Sequence, residues 1–166
     1  MTTLLAFPIL ITLLIVQTAI LSNITLLHGT TDVVFLAIIA WTIQRRVDTG
    51  WVWGIIGGLL VGYVSAVPIP VYLFAYLGSV GVALLLRQRI WNVPFLAMLI
   101  VTFTGTILLQ GSTLIALRIA NTPLALEDTI NLIALPGLVL NLILALPFFL
   151  IFGDLAKWLY PEPLEI

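Results

Sequence analysis

The sequence has no cysteine, which excludes disulfides, thiolate metal centres and cysteine nucleophiles together. It is almost as poor in charge. Only 8% of its 166 residues are Asp, Glu, Lys or Arg, against about a quarter in an ordinary soluble domain. Six basic residues face seven acidic ones, giving a formal net charge of −1, with no basic stripe of the kind that binds nucleic acid. The sole histidine, His28, has no cysteine or glutamate at metal-ligand spacing. Adjacent carboxylates occur only at Glu127-Asp128, shortly after Asn121-Thr122-Pro123, where solvation is their usual role. The glycines lie in hydrophobic runs rather than in a phosphate-binding loop. These absences leave no catalytic residue, cofactor site or metal site to nominate, and the chain is not expected to be an enzyme.

What the sequence has in excess is apolar surface. Hydrophobic residues make up 62% of the chain, and the mean hydropathy is +1.26. Too few charges remain to coat a surface facing water, so the surface is expected to face lipid. The expected fold is all-α, a single transmembrane domain over 1–166. A membrane-spanning helix needs about 20 mainly apolar residues, and six runs qualify: Leu4 to Leu21, Asp32 to Gln44, Trp51 to Val67, Val71 to Leu86, Pro94 to Ile119 and Ile130 to Phe152. The second is short. Pro68-Ile69-Pro70 joins the third and fourth as a tight hairpin, and Pro136-Gly137 and Pro147 are expected to interrupt the sixth. Met1-Thr2-Thr3 carries no side-chain charge and no clear cleavage site follows, so the first run is expected to be a retained helix.

With six spans, Arg45, Arg46, Arg87, Arg89 and Lys157 fall on one side and Arg118 on the other. The positive-inside rule makes the first side, and both termini, cytoplasmic. Trp41, Trp51, Trp53, Trp91 and Trp158 lie close to those charges in sequence, as an interfacial aromatic belt would. Asp32 is expected at the outer end of the second helix, so that no charge lies within a span.

Within the spans, Gly54, Gly58 and Gly62 recur every four residues and share one helix face. Such small residues let backbones approach closely in lipid. Ala75, Ser79 and Ala83 offer a matching row on the fourth helix, and the two rows are expected to pack on each other. The fifth helix carries a polar stripe, Thr102, Thr106, Gln110 and Thr113. Threonine can bond the carbonyl one turn back, but Gln110, like Gln17 and Asn141, needs a partner in hydrocarbon. That partner is either another helix of this chain, or a ligand or a second protein.

Several features together resemble the bacterial rod shape-determining protein MreD family. They are Gln17, then Gly29 and Asp32 opening the second helix, the Arg45-Arg46 exit, and the glycine-rich run Gly54-Ile55-Ile56-Gly57-Gly58. A proline-containing turn, Tyr76, Gly78 and Arg87-Gln88-Arg89 follow. The likeness covers about Leu4 to Trp91. Thr31 stands where members commonly have proline, and Gly62 where they often have aspartate. The resemblance implies a non-catalytic subunit of the peptidoglycan elongation machinery in the bacterial plasma membrane. It implies binding to MreC and, through MreC, connection to a peptidoglycan polymerase and transpeptidase and to MreB. The stripe Thr102, Thr106, Gln110 and Thr113, with Asn141, is the expected partner-binding face. Six helices in this size also resemble the substrate-binding subunits of energy-coupling-factor vitamin transporters, in which Tyr72, Tyr76, Gln110 and Asn141 would line a cavity. An accessory subunit of another membrane complex is the third reading.

Overall fold

A computed structural model of the chain describes residues 2–19, 31–89, 93–122 and 126–161. His28, Gly29, Trp91 and Pro123 lie outside them. All regular structure among the described residues is helical: α1 (Thr2–Ala19), α2 (Val33–Ile43), α3 (Gly50–Val64), α4 (Ile69–Arg89) and α5 (Pro94–Ile119). A single turn (Leu126–Asp128) then leads through a π-helical segment (Thr129–Ala134) into α6 (Leu135–Leu159). Three helical stretches are long and apolar enough to cross a membrane, namely Ile69–Arg89, Pro94–Ile119 and the continuous Thr129–Leu159. They mark a membrane protein. The helices α1, α2 and α3 are apolar but shorter.

The prolines shape the last helix differently from the expected interruption. Pro136 sits in the first turn of α6, where a missing N–H costs nothing, and Pro147 lies inside the helix without ending it. The ring of Pro136 would crowd the carbonyl four residues back in an α-helical turn. The preceding turn is instead wound wider, with Leu135 N–H bonding the Ile130 carbonyl five residues back. Between α3 and α4 the chain reverses over Ser65–Pro68, where the Ser65 hydroxyl accepts from Val67 N–H and donates to the Tyr72 hydroxyl.

The organising feature is α2. Every residue from Val33 to Ile43 is buried. Only Thr42 among them is polar, and a helix that is apolar all round belongs inside a protein. The other five helices all touch it, and α1, α3, α4, α5 and α6 each pack on the next in that order around it. At one end, Trp41 stacks on Trp53 with ring centroids 4.8 Å apart, and Phe152 meets both rings edge-on. These two tryptophans are fully buried, not members of an interfacial belt. Their sequence neighbourhood is the basic end, but their rings fill the space between α2, α3 and α6. Trp51 and Trp158 are exposed.

The α3 glycines do receive α4, though on another face than expected. A side chain on Gly58 would meet the Leu73 backbone at 3.2 Å, one on Gly62 the Ile69 Cα at 3.0 Å, and one on Gly54 the Val80 and Leu77 side chains. Ala75, Ser79 and Ala83 are buried elsewhere. Ser79 lies against Gly105 of α5, whose added Cβ would also strike Phe35 of α2. The small row of α4 therefore serves the junction of α2, α4 and α5. The reason is that α4 is sandwiched between α3 and α5, and a glycine can admit the Cα of a large residue as readily as that of a small one.

Replacing Gly58 with leucine is expected to lower stability by about 3 kcal/mol or more, because backbone cannot yield as a side chain does. Gly111 has open space around its Cα, so Gly111→Ala should be neutral or stabilising by up to about 1 kcal/mol. Reversible denaturation in mixed micelles reads both.

Candidate functional site

At 11 residues, α2 is about 16 Å long, roughly half the thickness of a bilayer's hydrocarbon core. Where its terminal N–H and C=O groups are enclosed by neighbouring helices, their partners must come from the protein. At its N-terminus those partners form a network. Asp32 is the N-cap, its Oδ1 accepting from Phe35 N–H at 3.0 Å. Its Oδ2 accepts from the Tyr76 hydroxyl of α4 at 2.6 Å. Asn141 of α6 accepts with one oxygen from both the Thr31 hydroxyl (2.8 Å) and Asp32 N–H (3.0 Å). Its amide nitrogen donates to Thr106 of α5 at 3.1 Å. Gln17 of α1 accepts from Val34 N–H at 3.2 Å. The N-terminus of α2 is thus bonded to side chains from α1, α4 and α6, and through Asn141 to α5.

The other end is held by one cation. Arg87 of α4 donates to the carbonyls of Thr42, Gln44 and Val47, gathering the last turn of α2 and the bend after it. A carboxylate at the N-terminus and a guanidinium at the C-terminus both complement the helix dipole. Close by, Arg46 donates to the Tyr160 carbonyl at 2.9 Å, fastening the end of α6 to the same bend. Arg87 also faces Asp48 at 3.9 Å, a loose pair because Asp48 is almost wholly exposed.

Beside the N-terminal network lies a cavity of about 280 Å³ lined by Gln17, Thr31, Asp32, Tyr72, Thr106, Gln110, Thr113 and Asn141, with apolar walls from Leu109, Leu114, Leu117 and Ile133. Most of its polar floor is already bonded within the protein. Gln110 donates to the Ala134 carbonyl in the π-helical segment at 3.3 Å. Among the described residues no three of His, Cys, Asp and Glu come together.

The expected partner-binding face therefore divides. Thr102, Thr106 and Asn141 are buried inside the bundle and lie away from its outer surface, because this side of α5 turns toward α2 and α6. Gln110 and Thr113 are half-buried at the cavity. The Thr102 hydroxyl has no hydrogen-bond partner, so the bond one turn back is not made there. Arg45, Arg46 and Lys157 gather at the basic end, Arg87 turns inward at that end, and Arg118 ends α5 at the other. Asp32 stands at an end of α2, as the sequence set it, and is buried there. The sequence reading also missed its bond to Tyr76 and the inward role of Arg87. A readable signal existed for Asp32, since a good N-cap residue directly precedes an 11-residue run with one polar member.

Asn141→Leu is expected to destabilise the protein by about 2–4 kcal/mol, because it removes the acceptor shared by the buried Thr31 hydroxyl and Asp32 N–H. Arg87→Met should cost a similar amount by releasing three carbonyls. Chemical denaturation of the purified variants measures both, and a loss below about 0.5 kcal/mol in either would contradict the capping role.

No protein-family model, curated protein or solved structure matches the chain.

Proposed function

We propose that the chain is a non-catalytic subunit of the bacterial peptidoglycan elongation machinery, of the MreD kind, that binds MreC. Through MreC it scaffolds the wall polymerase and transpeptidase and reaches MreB. In this reading all six helices cross the bacterial plasma membrane. The end bearing Arg45, Arg46, Arg87, Arg89 and Lys157 is cytoplasmic, as are both termini.

The observation that carries the reading is the closure of the polar core on itself. Asp32, Asn141, Tyr76 and Gln17 bond one another's helices, so these groups stiffen a scaffold instead of awaiting a substrate. What remains toward the outside is Gln110 and Thr113, beside the exposed Ile130 and Ile133 of the π-helical segment. A partner's single transmembrane helix lying on that side of α5 meets an amide and a hydroxyl in an otherwise apolar face. In lipid, such contacts hold helices together. Clustering of five of the six basic residues toward one end supports the orientation.

The cavity favours one second reading, a vitamin-binding transporter subunit, because Tyr72, Gln110 and Asn141 do line it. Against that, both ends of the Asn141 amide are engaged.

Gln110→Leu is expected to weaken recovery of MreC with the tagged protein about three- to thirtyfold, the range for one interhelical polar contact, while helical content and detergent stability hold. Undiminished recovery would remove Gln110 from the interface. A stoichiometric vitamin-sized ligand on the wild-type protein would favour the transporter reading.

A further inference from the structure

The polar network at the start of α2 closes its hydrogen bonds but not its charge. Asp32 accepts from Phe35 N–H and from the Tyr76 hydroxyl. Both donors are neutral, and so are the Gln17 side chain and the Val34 N–H beside the carboxylate. Among the described residues no cation pairs with Asp32. Arg87 faces Asp48, Lys157 faces Asp154, and Arg118 is exposed at the end of α5. The N-terminus of α2 supplies only about half a positive charge. A carboxylate enclosed this deeply is ordinarily paired with a full one.

Asp32 lines the cavity of about 280 Å³ described above, together with Gln110 and Thr113. The Gln110 amide uses its nitrogen for the Ala134 carbonyl. Its oxygen and the Thr113 hydroxyl make no hydrogen bond among the described residues. Leu109, Leu114 and Ile133 wall the same space. Carboxylate, amide and hydroxyl oxygens in an apolar-walled cavity match a cationic head carried on an aliphatic stem. A bare metal ion would leave the apolar walls unused.

We propose that this cavity receives a lysine or arginine side chain from the partner's transmembrane helix, with Asp32 as its counter-charge. The proposal rests on the reading that such a helix lies against α5 beside Gln110 and Thr113, and names what it inserts. A basic side chain on a lone span is costly in lipid unless it reaches the interface or meets an opposite charge. The stem lies along the leucines, and the head supplies the charge that the α2 terminus lacks. Asp32 stands at the opposite end of α2 from Arg45 and Arg46, so the inserted cation belongs toward that same end of the partner's span.

The test is a double-mutant cycle on the full chain, tagged and purified with MreC from its own membranes. Asp32→Asn removes the charge, keeps a good N-cap and lets the Tyr76 hydroxyl accept from the new amide. It should lower MreC recovery at least about tenfold, while the chain alone unfolds no more easily than wild type. Each lysine and arginine of MreC's membrane segment and its flanks is then exchanged for glutamine, one at a time. One exchange should give the same loss, and adding it to Asp32→Asn should lower recovery no further, because both changes delete one contact. Asp154→Asn, at the basic end, should change nothing. If the wild-type chain recovers no MreC, the MreD-kind reading fails and the proposal with it. Recovery that depends on Gln110 but is indifferent to Asp32→Asn overturns the proposal alone, as does a glutamine scan in which no basic residue matters. That scan uses the unaltered chain, so it decides the matter even if Asp32→Asn does not fold. A small organic cation held by the wild-type chain in native mass spectrometry, and lost from Asp32→Asn, would put a free ligand in the cavity and overturn the proposal too.

Discussion

A helix of 11 residues, buried on every side, is too short to bring both of its ends to water through a bilayer. That one constraint accounts for where Gln17, Asp32, Tyr76, Asn141 and Arg87 point. Backbone groups left unpaired in hydrocarbon cost several kcal/mol each, so α2 is stable only if its neighbours supply donors and acceptors at both ends. Asp32, Gln17 and Asn141 do so at its start, and Arg87 at its finish. Gln17 and Asn141, which look out of place in hydrophobic spans, are the terminations of one short helix.

The same constraint explains the small residues. For five helices to close around α2, some must come very near it. Gly57 of α3 approaches Ile38 and Val34, Gly50 approaches Thr42, and Gly105 of α5 approaches Phe35. The glycines of α3 therefore face two ways, Gly57 toward α2 and Gly58 and Gly62 toward α4. Five helices pack on α2 as a hub, and α3, α4 and α5 also pack extensively on one another in chain order. A bundle locked at its centre in this manner leaves its periphery for association, which is consistent with a scaffold that grips a partner in the membrane.

Much of this was legible in the sequence, and what was not has identifiable causes. The bounds of α5 coincide with the apolar run, because Pro94 starts it and Asn121, with φ 57°, follows its end. The glycine face of α3 follows from spacing alone. Its contact surface on α4 does not, because a glycine accepts either a small side chain or the Cα of Leu73 and Ile69. Trp41 and Trp53 read as interfacial because tryptophan commonly is, while their burial depends on Phe152, about a hundred residues away. Asp32 read as the outer end of the second helix, but its burial did not, since its partners Tyr76 and Asn141 come from helices that only the fold brings near. The burial of α2 was the most readable of the missed features. Its uniform apolarity, combined with a length too short for a lipid-exposed span, already called for a place inside.

The proposed orientation sets α2 at the centre of a membrane-spanning bundle, with the basic end on the cytoplasmic side. The absence of cysteine makes this directly measurable. Asp48→Cys places one thiol just beyond α2 at the basic end, and Thr122→Cys places one just past α5 at the opposite end, both at exposed positions. A maleimide that cannot cross membranes, applied to intact cells, should label Cys introduced at 122 at once and Cys introduced at 48 only after the membrane is opened. Immediate labelling at both positions, or the reverse order, would contradict the account.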